Sequence, residues 1–390
     1  MNNFAVRFEN KMIIDSEIFS DSLFVTIASC FVVLFLIQIL YLLRTNFCFA
    51  QKKKSEPINS QQLPPVSIVV CMRDNFHLIR KQVIALANQS YGEFEIIVVN
   101  YTSVDAQDED IMMWTKQIPN LTFFNIHESN NFRCSKIYPL SVGVKAAKYE
   151  LVITTHLGCI PKDIYWLRAM VSSLNSKNNV AGIANFKAGK GFFNKLMRYE
   201  QSCYNMEFLS YIANNHPYTI STRNFLFKKS EFLVPKNLMD YYQICNDGTA
   251  AFIKLIGKGK TAYTFDDYSQ VNIEAKQNLD SWFTHVSRRY SNIRYSSSLG
   301  KCIKFFYELS KYLFFIACIL ICMLYTQMLI PVLLLVLIRL VVWFMVKHKA
   351  LKKLHQLDLL SSFFLYEVVL WFIAPFLYFS SMKMKKNLWV

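Results

Sequence analysis

Apolar positions are arranged along this chain in two ways. Towards both ends they form long unbroken runs, and in the middle they form short runs that alternate with helical spacing. Residues 22–43 carry no charge and are flanked by Asp21 and Arg44. A helix of that length crosses a hydrocarbon core of about 30 Å. Residues 305–346 are mostly apolar, interrupted by Glu308, Lys311 and Arg339, and Thr326, Gln327 and Pro331 predict a tight reversal within them. Residues 359–382 form a further apolar run, which contains Glu367. The expected spans are 22–44, 303–326, 328–346 and 359–382. Ionisable residues inside such runs usually have partners, so Arg339 and Glu367 are expected to pair across helices or to line a polar pathway.

Residues 45–63 are polar and lysine-rich and read as a linker, and a domain is expected over 64–300. Its β-branched runs at 66–71, 94–99, 121–124 and 151–155 have the length and composition of buried parallel strands. Residues 77–87 and 138–148 have helical spacing, and an acid-rich helix start falls at 105–114. A further strand is expected at 261–265, closed by a turn at Asp266-Asp267. This alternation predicts a doubly wound, mostly parallel α/β sheet. Ligands in such sheets bind beyond the carboxyl ends of the strands, here 71–75, 100–105 and 155–159.

Composition sharpens the picture. The chain is 53% hydrophobic and 18% charged, against about 45–50% and about 25% for soluble proteins, which excludes an ordinary soluble enzyme. Its 33 Phe and 21 Tyr exclude a disordered chain. The net charge of +16 divides into −1 for residues 1–44, +9 for 45–300 and +8 for 301–390. Lys52, Lys53 and Lys54 follow the first run, whereas residues 1–21 are net negative. The positive-inside rule then puts the N-terminus outside and the domain in the cytoplasm of a multi-pass protein of the inner (cytoplasmic) membrane. The negative leader and the absence of an A-x-A-like site argue for an uncleaved anchor. Four crossings would carry Lys383, Lys385 and Lys386 outside, against the same rule, so one segment is open to an interfacial or re-entrant placement. The ten cysteines show no C-x-x-C spacing and read as reduced thiols. No nucleic-acid-binding signature accompanies the basic charge, and membrane lipids are the expected partners of the lysines.

Five segments occur in an order that resembles family 2 glycosyltransferases of the GT-A fold. They are PPVSIVVCMRDN (64–75), NQSYGEFEIIVVNYTSVD (88–105, with Gln89 and Tyr91 as Q-x-Y), KIYPLSVGVKAAKYELVITTHLGCIPKDIYWLRAM (136–170), STRNFLFKKSEF (221–232) and WFTHVSRRY (282–290). The resemblance implies a GT-A-like domain with N- and C-terminal transmembrane helices. The implied activity is transfer of a sugar from a nucleotide-sugar to a lipid-linked or polysaccharide acceptor.

The residues that carry the family's chemistry differ. The carboxylate that holds the nucleotide after the second strand is replaced by Tyr101. The Asp-x-Asp that holds a divalent metal is replaced by His156 and Gly158, so no metal cofactor is expected. The Gln of Q-x-x-R-W is His285; Arg288 is kept and Arg289 replaces the Trp. Asp247, the sole acid in the stretch matching the family's acidic cluster, is the candidate base. Arg73, Asp105, Lys136, Arg288 and Arg289 are the candidate nucleotide and diphosphate ligands, Arg because its planar fork matches phosphate. Asp105 reads as a helix cap before it reads as a nucleotide ligand. Two functions follow: an enzyme that works without the Asp-x-Asp metal, or an inactive scaffold or regulatory subunit among other cell-envelope proteins.

Overall fold

A computed structural model describes residues 19–50, 63–103, 108–126, 136–233, 249–253, 255–257, 259–274, 278–296 and 298–383. The chain begins with the long helix α1 (Ser22–Ala50) and enters the α/β domain. Its first half runs β1 (Val66–Met72), α2 (Phe76–Ala87), β2 (Phe94–Tyr101), α3 (Asp108–Gln117), β3 (Leu121–Ile126), α4 (Ile137–Ala146) and β4 (Leu151–His156). It continues through β5 (Cys159–Pro161), α5 (Trp166–Ser172), β6 (Asn179–Ala181), β7 (Ala184–Phe186) and α6 (Phe192–Ala213). Then come β8 (Phe225–Lys228), α7 (Lys229–Phe232), α8 (Thr249–Ile253), β9 (Thr261–Tyr263), β10 (Val271–Ile273) and α9 (Leu279–Asn292). The helices α10 (Ser298–Leu324), α11 (Leu329–Lys353) and α12 (Phe363–Lys383) end the described chain.

The main sheet has the order β3-β2-β1-β4-β8-β6-β9. The first four strands are parallel, with Val66 opposite both Phe94 and Leu151. β8 then runs antiparallel to both β4 and β6, which the sequence pattern did not indicate. A small sheet, β5-β10-β7, lies beside the end of β4. Strand β1 is buried along nearly its whole length, as a β-branched strand covered on both faces should be. The four expected parallel strands are each one or two residues longer at the carboxyl end than the sequence indicated. Gly143 allows α4 to lie on the sheet, because a Cβ there would come within 2.6 Å of Val69 Cγ1 and 2.9 Å of Val99 Cγ2. Asp266 caps the short 3₁₀ turn at Asp267–Ser269, accepting from the Tyr268 N–H at 3.2 Å, in keeping with the expected turn.

Among the described residues, four helical segments are long and apolar enough to cross a membrane: Ser22–Arg44, Ser298–Leu324, Thr326–Lys353 and Leu357–Met382. α10 begins earlier than the sequence indicated, at Ser298, and the charges near its start pair with one another. Lys304 meets Glu308 at 2.9 Å one turn on, and Glu308 meets Lys311 at 2.5 Å.

Arg339 and Glu367 do not pair with each other; each finds a partner on another helix, as their burial in apolar runs requires. Arg339 Nε donates to Gln38 Oε1 of α1, and its guanidinium lies 5.3–5.9 Å from the rings of Phe314, Phe315 and Trp343. Glu367 faces the domain, accepting from Tyr199 Oη at 2.7 Å with Lys347 at 3.9 Å.

Candidate functional site

The carboxyl ends of the parallel strands converge as the doubly wound pattern requires. After β1, Asp74 and Asn75 both adopt left-handed backbone (φ 59° and 60°), and after β2 Thr102 does so too (φ 53°). A β-branched residue rarely adopts that conformation, and such strain gathers at functional sites. The two loops are tied together. The Asp74 N–H donates to Ser103 Oγ at 2.8 Å, the Ser103 N–H to Asn100 Oδ1 at 3.3 Å, and Asn100 Nδ2 to Asn125 Oδ1 at 3.0 Å. Tyr101 is fully buried, with the Arg73 guanidinium 5.9 Å from its ring centre and Tyr138 edge-on at 6.1 Å. A buried aromatic with a cation over its face thus occupies the carboxyl end of β2.

The turn from β4 to β5 is held by a residue that sequence reasoning passed over. Gln82 of α2 is fully buried. Its Nε2 donates to the carbonyls of His156 (2.9 Å) and Cys159 (2.8 Å), and its Oε1 accepts from the Gly158 N–H (3.0 Å). Gly158 has φ 76°, so the turn suits glycine. His156 Nε2 is 2.8 Å from Thr222 Oγ1. Its ring lines a small cavity of about 10 Å³ with Thr222, Arg223, His285, Tyr204 and Arg289, room for about one water. His285 Nδ1 lies 3.3 Å from Arg223 Nη2. Burial, then Arg223, Arg289, Lys136 and His156, push the His285 pKa well below the usual imidazole value. The same cations make this corner a pocket of positive potential.

Arg289 is nearly buried. It forms an ion pair with Glu200, reaches Gln201 Oε1 at 3.4 Å and lies 4.2 Å over the ring of Tyr204. Arg289 and Tyr204 also line a second, larger cavity of about 200 Å³ between α6, α9 and the apolar helices α1, α10, α11 and α12. Its walls carry alternating charge. Besides Glu200 and Arg289, Lys304 meets Glu207 at 2.9 Å and Glu308 at 2.9 Å, and Lys347 faces Glu367. Tyr307, Tyr290, Trp343 and Trp371 supply aromatic faces.

A divalent metal makes a definite demand on the donor set. Such an ion needs several oxygen ligands, usually carboxylates. Among the described residues no group of three His, Cys, Asp or Glu side chains converges. At the β4 end the ionisable group is His156, which Thr222 engages. The described residues do not fit a divalent metal.

Of the sequence candidates, His156, His285 and Arg289 come together at the small cavity, and Lys136 lies near enough to act on both Cys71 and His285. Arg73 and Tyr101 sit together at the neighbouring strand ends. Arg288 is buried and lines neither cavity. Asp105 and Asp247 lie outside the described residues. Thr222, Arg223, Glu200 and Tyr204 were missed. A signal existed: Glu200, Tyr204 and Glu207 recur at i, i+4 and i+7, as do Lys304, Glu308 and Lys311, so each set marks one polar stripe on a helix.

No protein-family model matches the chain, and no curated protein matches it in sequence. Among solved structures it is similar to the mannosyltransferase PcManGT from Pyrobaculum calidifontis in complex with GDP-Man and Mn2+. The TM-score is 0.54 at 14% identity, over 89% of this chain and 97% of that chain. It also matches S. aureus TarS 1-349 in complex with UDP, with a TM-score of 0.40 at 15% identity, over 58% of this chain and 65% of that chain. The likeness to PcManGT shows the fold: a GT-A-like glycosyltransferase fold that extends over nearly the whole described chain.

Proposed function

We propose that this chain is a membrane-embedded, family 2-type glycosyltransferase that moves a sugar from a nucleotide-sugar to a lipid-linked or polysaccharide acceptor. In this reading residues 64–300 form the cytoplasmic catalytic domain and the apolar helices anchor it in the inner membrane. The observation that carries it is the wall shared by the two cavities. Arg289 and Tyr204 face both the cationic corner at the β4 end and the larger chamber against the apolar helices. A donor held at the strand ends and an acceptor arriving from the membrane would meet there. PcManGT, of similar fold, was solved with a nucleotide-sugar.

The chemistry is an inverting displacement. The acceptor hydroxyl oxygen bonds to the anomeric carbon as the bond from that carbon to the diphosphate oxygen breaks. Negative charge grows on the departing diphosphate. In metal-dependent enzymes the ion neutralises it, contributing several kcal/mol. Here Arg223, Arg289 and Lys136 take that role. A unit charge pair at 4 Å is worth about 4 kcal/mol near a protein surface, so two such cations offset the missing ion. Asp247 accepts the acceptor's proton, a contribution of about 10²–10⁴-fold.

A second reading is an inactive scaffold. It is favoured by the ion pair that already engages Arg289 with Glu200 and by the loss of both metal-binding acids. Calorimetry of the purified chain with UDP- and GDP-sugars, with and without Mn2+, separates the two. Binding that is indifferent to Mn2+ and at least tenfold weaker in Arg223→Ala supports the enzyme. Silence under every condition leaves the scaffold.

A further inference from the structure

α12 is apolar enough to cross a membrane, yet its contacts are those of a helix lying along the domain. Its lead-in, residues 357–362, is tied down by Arg198 of α6. That buried guanidinium grips Asp358 with two bonds of 2.7 and 2.8 Å and reaches Gln356 Oε1 from Nε at 2.9 Å. Next, Tyr366 packs against Tyr199 and Phe192 of α6, with ring centres 5.6 and 5.4 Å apart. Three turns on, Leu377 is 1% exposed, in the same buried cluster as Trp282 and Val286 of α9, with Leu370 and Ile373 packed against that cluster. Residues 366, 370, 373 and 377 form one helical stripe. Both ends of the stripe therefore rest on the domain, although the helix is about 31 Å long at 1.5 Å per residue.

The far halves of the other apolar helices show the complementary pattern. Phe24 and Phe31 of α1, Ile321 of α10 and Val332 of α11 form a cluster of their own, which includes no described residue of α12. The contacts of α12 with these helices lie nearer the domain. Phe363 meets Trp343 at 5.1 Å, Trp371 meets Phe315 at 5.2 Å, and Tyr312 Oη donates to the Trp371 carbonyl at 3.2 Å. The face of α12 turned away from the domain is apolar and exposed, with Phe372 at 74% and Phe376 at 70%. On α10 and α11, Phe305, Leu334 and Met345 are likewise exposed. A free interfacial helix carries a polar face of its own; α12 has instead one face docked on the domain and an apolar face left for the acyl side of the boundary.

We propose that α12 lies in the lipid–water boundary on the domain's side of the bilayer and does not cross it. The chain then crosses three times, by α1, α10 and α11. This places Lys383, Lys385 and Lys386 on the same side as Lys347, Lys349, Lys352 and Lys353, and the positive-inside rule is satisfied at every basic cluster. The chamber gains a location as well. Glu367 and Trp371 of α12 line it, so it lies at the depth of the lipid headgroups, and a lipid-borne molecule enters from the side.

The inference rests on the reading of α1, α10 and α11 as membrane spans, and the experiment separates the two. Epitope tags are placed before Met1, within residues 51–62 and after Val390 of the full chain, and sealed membrane vesicles are treated with protease. The tag after Val390 should be cut or protected together with the tag in 51–62, and oppositely to the tag before Met1. A C-terminal tag that follows the N-terminal one overturns the proposal. Alkaline washing of the same membranes tests the premise: release of the chain sinks the spanning reading itself, whereas a retained chain leaves the tags to decide.

Discussion

Gln82 Oε1 accepts the amide proton of Gly158 at 3.0 Å, from a helix that precedes that glycine by three strands. The same side chain also satisfies the carbonyls of His156 and Cys159. One buried amide thus shapes the turn between β4 and β5. Gln82→Leu strands one N–H and two carbonyls, at a position where the side chain is fully buried. At about 1–3 kcal/mol for a buried group left unpaired, a loss on the order of 3 kcal/mol is expected. Gln82→Glu keeps only the Gly158 bond and adds a buried charge, so it should be at least as damaging. Urea denaturation of the detergent-purified variants measures this, and a glutamate variant as stable as wild type contradicts the role.

The close approach of α4 to the sheet makes a second, independent prediction. A methyl group at position 143 meets the stiff β-branched side chains of Val69 and Val99 at 2.6 and 2.9 Å. Overpacking of this kind typically costs about 1–3 kcal/mol. Gly143→Ala should therefore destabilise the domain by that amount despite the better helix propensity of alanine. Combining it with Val69→Ala should recover part of the loss, and the absence of any recovery would point to another cause.

The fold was legible where burial repeats with a fixed period. The runs at 66–71, 94–99 and 151–155 announced a parallel sheet because strands buried on both faces have few residue types open to them. The antiparallel insertion of β8 was not legible, because a four-residue run such as Phe225–Lys228 carries no direction. The site was half legible. His156, His285 and Arg289 were named from the family pattern, but their cluster depends on Thr222 and Arg223 arriving from a distant segment. Arg339 and Glu367 show the same limit: burial predicted that each needs a partner, and only the three-dimensional packing chose Gln38 for one and Tyr199 for the other.

The ion pair of Arg289 with Glu200 lets stability and ligand recognition be told apart. Both side chains are largely shielded, at 7% and 13% exposure. Arg289→Ala leaves an unpaired carboxylate, which typically costs about 3–5 kcal/mol, whereas replacing both charges with apolar residues is often near neutral. The double variant Arg289→Met, Glu200→Leu should therefore recover most of the stability lost in Arg289→Ala. If Arg289 also holds a diphosphate, nucleotide-sugar affinity should stay down at least tenfold in the double variant. Restored stability with restored affinity would make Arg289 a purely structural cation.

His285 predicts how the fold responds to acid. Burial comes first and the neighbouring Arg223, Arg289 and Lys136 next in keeping its imidazole neutral, so its folded pKa lies well below 6.5. In the unfolded chain the ring takes a proton near pH 6.5. Below that pH the unfolded state binds more protons than the folded one, so stability falls as the pH drops, by up to about 1.4 kcal/mol per pH unit for one such group. Above pH 7 the contribution is fully present and constant. Thermal midpoints measured from pH 8 down to pH 5 should thus be flat at first and then decline. His285→Gln keeps a hydrogen-bonding side chain for Arg223 but cannot titrate, and should flatten the decline by roughly one proton's worth of slope. A variant whose midpoints follow the wild-type curve in parallel would assign the acid sensitivity to a different group.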